Sequence, residues 1–352
     1  MHEASAIAFA VYASTLCGLH IDTKEGYRFG QLALKLAENC SPKDTTIVGT
    51  IVGGMTVHWT RPVSESFAAL DTHSKIGLEN GVVSFALQSR VMFALNSIVT
   101  GKRLVTVKKV VKDILRLSRL YRQRSNEIKG SLLLQAIECY EGKAPDPSLP
   151  TGSAIDFEKS LAEVEKNHDQ VAVLMFIMYG MEMAYMHDNC EEASRMADLC
   201  LQGQSGSSPT LTASMLQFLM ALIEISDVRR GVRSSKNLKL AKSQFKSIAS
   251  WSQDAPSVFL HWKLLLEAEL MGLKQGSKLE AVCSIYADAY SHARKQDNLM
   301  TMGLARERLG DYLQRVGKDK EALIQWNKAA DVYEDWGASA KCRMLRKRVD
   351  TR

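Results

Sequence analysis

The chain has 352 residues, 46% apolar and 24% charged, the balance of a folded globular protein and not of a disordered or fibrous one. It holds only seven prolines and lacks stretches of alternating apolar and polar residues, which argues against strands and for long helices. The net charge is +6 but unevenly spread. Residues 102–124 carry nine Lys/Arg against Asp113, and 229–246 carry seven with no acid, so the remainder is acidic.

In chain order, residues 3–17 read as a first helix and 24–39 as a second. Pro42, at a first helical position, opens a helix running to about Trp59. Arg61-Pro62 repeats that punctuation before 63–79, and Asn80-Gly81 stops it. Helices are then expected over 82–99, 104–123 and 125–140. A proline-rich loop at 142–152 is a possible weak boundary, but helical patterning resumes over 154–166 and 168–186. A further helix opens at Asn189, and 202–209 read as a flexible link. Pairs follow at 210–227 with 234–251, at 257–271 with 276–295, and at 298–315 with 318–334. A basic helix at about 338–349 closes the chain.

The organising stretch is 303–336. Its first helix sets Leu309, Gly310 and Leu313 on one face, and its second sets Ala322, Trp326 and Ala329 on one face. Gly317 lies in the turn between them, and Trp336 ends the unit. Small residues let two helix backbones approach while Leu and Trp fill the space around them. That is the logic of a 34-residue tetratricopeptide unit. The fold class expected is therefore all-α: a tetratricopeptide-like α-solenoid of about eight antiparallel helix pairs, one array over 1–352, with about 42–44 residues per pair and an elongated, curved shape.

The C-terminal run also resembles the end of the helical-repeat region in very large multi-domain signalling proteins. There a serine/threonine-kinase-like domain and an AAA-type (STAND) ATPase come first, and GAF and histidine-kinase domains often follow. The pattern Tyr333, Trp336, Gly337, Ala338, Ala340 and Lys341 carries the likeness. The stretches 26–39, 77–81 and 120–123 add to it. The resemblance implies a non-catalytic coupling or sensor segment whose kinase and ATPase motifs lie in flanking domains.

Within the chain no GxxxxGK[ST] phosphate loop, kinase motif, HExxH, GxSxG or His/Cys cluster occurs, so no cofactor, metal site or catalytic residue is expected. Isolated histidines such as His58, His73, His187 and His261 read as packed or surface groups. Two basic helix faces are the sharpest remaining features: Lys108, Lys112, Arg116 and Arg119 on one helix, Lys239, Lys242 and Lys246 on another. They suit an acidic protein or peptide, with an anionic surface a further option. Nucleic acid is not expected, because exposed aromatics and reading motifs are missing. A solvated or internally paired face is the plain alternative. Seven widely spaced cysteines without CxxC fit a reducing, cytoplasmic setting, and no transmembrane segment is expected. The functional expectation is a scaffold for protein–protein interaction or interdomain coupling. The second reading is an effector-sensing module that binds a small ligand and gates an attached ATPase or kinase.

Overall fold

A computed structural model describes residues 4–202, 208–234 and 238–351. The described residues form 17 α-helices. The first seven are α1 (Ala4–Gly18), α2 (Thr23–Ala37), α3 (Pro42–Met55), α4 (Val63–Glu79), α5 (Val83–Val99), α6 (Leu104–Leu120) and α7 (Arg124–Glu141). The next five are α8 (Phe157–Lys166), α9 (Gln170–Met186), α10 (Cys190–Gln202), α11 (Leu211–Arg229) and α12 (Lys239–Asp254). The last five are α13 (Pro256–Met271), α14 (Leu279–Lys295), α15 (Leu299–Arg315), α16 (Asp319–Trp336) and α17 (Ser339–Asp350). Each packs on its neighbours in sequence. Part of the 202–209 link, residues 203–207, lies outside the described residues, as do 235–237 before α12.

The ends of the helices have local causes. Asp22, Ser41, Asp156, Asp169, Thr210 and Asn298 each accept the backbone N–H three residues on, as N-caps do. The Asp156 cap starts α8 at Phe157 and not at 154. Gly276, with φ +77°, keeps α14 from starting before Leu279. Near Trp59 the chain tightens into a 3-10 turn, Val57–Trp59, so α3 stops at Met55.

One turn recurs. Gly81, Gly101, Arg122 and Gly142 all have positive φ and follow one another at 20 or 21 residues. Asp297, Gly317 and Gly337 do so at 20. Helices of mostly 17 residues joined by such left-handed turns give a helix pair of 40 residues, longer than the tetratricopeptide length of about 34. The sequential packing is consistent with a helical repeat, and this unit of 40 residues lies close to the roughly 42–44 expected from the sequence.

From α5 onward the helices sort into two layers. α5, α9, α11 and α13 are apolar around most of their circumference and are buried on nearly every side. α6, α8, α10, α12 and α14 bury one face only. The inner helices α5, α7, α9, α11, α13 and α15 meet one another in succession. α11 is long and apolar enough to cross a membrane by length and composition, and 78% of that window is buried inside the fold.

The inner wall closes, so the elongated shape expected from the repeat pattern is corrected. α5 packs on α11, and α7 packs on α17. The α5–α6 turn docks on the C-terminal repeats. Gly101 O accepts from Leu299 N at 3.3 Å, Lys102 O accepts from Trp336 Nε1 at 3.0 Å, and Asp335 O accepts from Arg103 Nη1 at 3.0 Å. Nearer the N-terminus, Trp59 Nε1 donates to Pro209 O at 3.0 Å and Thr23 Oγ1 to Asp254 Oδ2 at 2.9 Å. The accessible surface is 15419 Å², against about 14,000 Å² for a compact 39.1 kDa monomer. One core cluster runs from Cys17 to Leu345. It continues past the 142–152 loop, whose Leu149 O accepts from Cys139 Sγ at 3.4 Å.

Candidate functional site

The signature positions of the 303–336 unit meet as their spacing suggests. A Cβ on Gly310 would stand 2.5 Å from Trp326 Cδ1, so the two helices touch through the missing side chain. Leu309, Leu313, Ala322, Ala329 and Trp336 are buried. Trp326 Nε1 donates to Asp311 Oδ1 at 3.0 Å. Gly317 turns with φ +76°. These residues build the fold. Trp59, Trp251 and Trp262 are likewise packed inside.

Behind that unit lies a buried polar cluster. Glu307 Oε1 accepts from Lys341 Nζ at 2.7 Å and Oε2 from Tyr333 Oη at 2.8 Å. Arg308 reaches the same carboxylate at 3.0 Å and Asp311 at 3.3 Å. Burial works against the Glu307 charge, but Lys341, Arg308 and Arg348 outweigh it and hold its pKa down at about 2. A second buried carboxyl, Glu182, accepts from Tyr140 Oη at 2.5 Å and has no ion-pair partner among the described residues. Burial lifts its pKa to about 7. Glu307, Lys341, Tyr333, Glu182 and Tyr140 are enclosed, while Asp311 stays partly open to solvent.

The two basic faces differ sharply. On α6, Lys108 bonds Glu141 at 2.6 Å, Arg116 bonds Asp113 at 2.7 Å and Arg119 bonds Glu127 at 3.0 Å. Only Lys112 of that set has no ion-pair partner among the described residues. On α12, Lys239, Lys242 and Lys246 are exposed, and none has an ion-pair partner among the described residues.

Lys242 and Lys246 line a groove of about 910 Å³ between α11, α12, α13 and the end of α15. Its floor is apolar: Val228, Leu238, Phe245, Leu270, Met271 and Leu273. Lys274 and Arg315 add two more cations, and neither has an ion-pair partner among the described residues. Arg315 donates to Asp311 O at 3.2 Å and lies over the Tyr312 ring at 5.7 Å. Desolvation, then the nearby Arg229 charge, pulls its pKa below the usual value, so it sits where an anion would relieve it. Of the groove's other charges, Arg229 pairs with Glu269, and Glu267 accepts from Lys263 at 2.5 Å. Four cations without an ion-pair partner among the described residues therefore line an apolar trough.

The sequence pointed to Lys242 and Lys246 through their helical spacing. It missed Lys274 and Arg315, which come from a turn and from another repeat and carry no local signal. His58, His187 and His261 are buried or nearly so, and burial drives their pKa values down to about 3, 4 and 3. Among the described residues no group of three or more His, Cys, Asp or Glu could hold a metal ion.

Among the described residues these features define an all-helical array of 17 helices packed in sequential pairs, bearing a basic, apolar-floored groove. No family model matches the chain, and no curated protein matches it.

Proposed function

We propose that this chain is a non-catalytic helical-repeat interaction module, a lengthened relative of the tetratricopeptide architecture, whose groove takes an acidic, amphipathic protein segment. The observation that carries the reading is the set of Lys242, Lys246, Lys274 and Arg315 lining an apolar floor. Lysines left unpaired beside apolar side chains favour a ligand with carboxylates on one side and aliphatic groups on the other. The segment belongs to a separate protein or to another domain of the same polypeptide, as in the signalling ATPases and kinases that the C-terminal run resembles. The work done is docking and coupling, with any ATPase or kinase chemistry supplied by those other domains, in the cytoplasm.

The test is fluorescence anisotropy with a labelled peptide alternating Glu and Leu. Binding that weakens as salt rises supports the reading, since exposed charge pairs are screened within about 10 Å at 0.1 M salt. A preference for anionic vesicles over the peptide would place the groove on a membrane surface instead. Equal binding of a Lys–Leu peptide would sink it.

A further inference from the structure

The carboxylates nearest the basic groove are all committed elsewhere, and the Arg315 guanidinium is left out. Asp311 stands four residues before Arg315 on α15, the helical spacing that favours an ion pair. Its carboxylate is spent on other partners. Oδ1 accepts from Trp326 Nε1 at 3.0 Å and from Arg348 Nη1 at 2.9 Å, and Oδ2 faces Arg308 at 3.3 Å. Glu269, buried on α13, is taken by Arg229 and by Tyr286 Oη at 2.9 Å. Glu267 is taken by Lys263. Arg315 keeps a backbone oxygen and the face of one ring.

Positive charge gathers at this end of the groove. Arg315 lies over the Tyr312 ring at 5.7 Å, and a Cβ on Gly272 would stand 3.1 Å from Cδ2 of the same ring. The end of α13 therefore packs against the residue that carries Arg315. Lys274 follows two residues later, in a turn closed by its N–H on Met271 O at 3.0 Å. Tyr312 also lies 6.3 Å from Tyr286, the ring whose hydroxyl shares Glu269 with Arg229. Arg229 thus stands near Arg315 from the α11 side, and its like charge weighs against that of Arg315, second only to desolvation. One buried carboxylate, Glu269, serves Arg229 first and feels Arg308 and Arg315 behind it. Arg229, Lys274 and Arg315 all line the groove. Lys274 and Arg315 are exposed.

We infer that the segment docked in the groove carries a phosphate monoester, on a phosphoserine or phosphothreonine, seated on Arg315 and Lys274 where α13 meets the end of α15. The inference rests on the acidic-segment reading and narrows it. Phosphate suits this end better than a carboxylate. It brings a charge of about −1.5 to −2 at pH 7 and three acceptor oxygens, against one charge and two oxygens. The planar guanidinium fork takes two of those oxygens at once, which leaves the third for an ammonium group. The other end differs. Lys242 and Lys246 stand one helical turn apart on α12 and present point charges that suit single carboxylates. Phe245, Leu270 and Leu273 of the floor take the aliphatic residues. A groove with a phosphate end and a carboxylate end fixes the direction of the segment, and phosphorylation of the partner becomes the switch for docking.

The experiment is fluorescence anisotropy of the full chain with three versions of the Glu–Leu peptide that differ at one central position: serine, glutamate or phosphoserine. The phosphoserine version should bind at least about tenfold more tightly than the serine version and about threefold more tightly than the glutamate version. That preference should fade below about pH 6, where the phosphate loses its second charge. Arg315→Gln should cut the phosphoserine-to-serine ratio to about twofold, and Lys274→Gln should lower it in the same direction. Arg116→Gln/Arg119→Gln, on the paired α6 face, should keep the full ratio. Phosphoserine binding no more tightly than glutamate would overturn the inference and leave the acidic-segment reading standing. A ratio that survives both Arg315→Gln and Lys274→Gln would overturn it as well. Vesicles of phosphatidic acid binding more tightly than the phosphopeptide would overturn it in favour of a lipid headgroup. Failure of all three peptides to bind would remove the acidic-segment reading and this inference together.

Discussion

Lys341 Nζ donates to Glu307 Oε1 at 2.7 Å with both side chains wholly out of solvent. The contact ties α17 to α15 across the end of the array, and Tyr333 of α16 completes it through the other carboxylate oxygen. A buried pair of this kind is costly to break from one side. Lys341→Met should destabilise the fold by about 3–5 kcal/mol in urea denaturation. Adding Glu307→Gln should recover part of the loss, because the uncompensated charge goes with it. A Lys341→Met variant as stable as the parent would mean that the cluster is not closed in solution.

The same carboxylate gives a pH signature. The Glu307 pKa falls from an ordinary 4.5 to about 2 on folding. Its contribution is fully present above about pH 4.5 and is lost as pH drops toward 2. Glu182 has the opposite sign, with its folded pKa raised to about 7. The folded state then holds a proton that the unfolded state has released, and stability falls as pH rises from 4.5 through 7. Glu182→Gln should remove that fall, worth at most about 3 kcal/mol, and should melt higher than the parent at pH 8. Parallel melting curves for the two between pH 5 and 8 would count against a buried neutral Glu182.

Gly310 is held open by Trp326, whose ring is fixed by its bond to Asp311. Gly310→Leu should push the two helices apart and cost about 1–3 kcal/mol. Even Gly310→Ala should destabilise, since a Cβ 2.5 Å from an immobilised indole outweighs alanine's better helix propensity of about 1 kcal/mol. An Ala variant that melted higher than the parent would show that the indole yields.

Closure of the array is visible in solution. A compact chain of this length should have a radius of gyration of about 20 Å, whereas an open solenoid would be distinctly larger. Small-angle scattering reads the difference. Trp336→Phe removes the donor to Lys102 O and should lower Tm without unfolding the chain. A markedly extended parent would contradict the closed form.

Much of this fold could be read from the sequence, for identifiable reasons. Capping residues, prolines and glycines mark nearly every helix boundary, and helix formation is decided within a few residues of the chain. The Gly310–Trp326 contact was also legible, because it joins neighbours across one short turn. Closure was not. It depends on the α5–α6 turn meeting α15 and α16 about 200 residues away in sequence, through backbone oxygens such as Lys102 O, and no side-chain pattern encodes that. The repeat length was blurred because the recurring turn is filled by Gly in some places and by Arg122, His168, Asp188 or Asp297 in others. The Tyr333–Lys341 pattern that carried the family resemblance proves to be packing: Tyr333 and Lys341 hold Glu307, Trp336 holds Lys102 O, and Gly337 caps α16 with φ +97°. The basic faces looked alike in sequence. Only the structure separates α6, where Lys108, Arg116 and Arg119 are paired, from α12, whose Lys242 and Lys246 line a groove.

That separation supplies the most direct measurement: the affinity of the Glu–Leu peptide for the parent, for Lys242→Gln/Lys246→Gln and for Arg116→Gln/Arg119→Gln. All four positions are exposed or paired at the surface, so the variants should fold like the parent. The account predicts that the groove variant binds about five- to tenfold more weakly and that the α6 variant stays within about twofold, since each exposed charge is worth about 0.5–1 kcal/mol. Equal losses in both variants would contradict it, leaving only a diffuse attraction to positive charge.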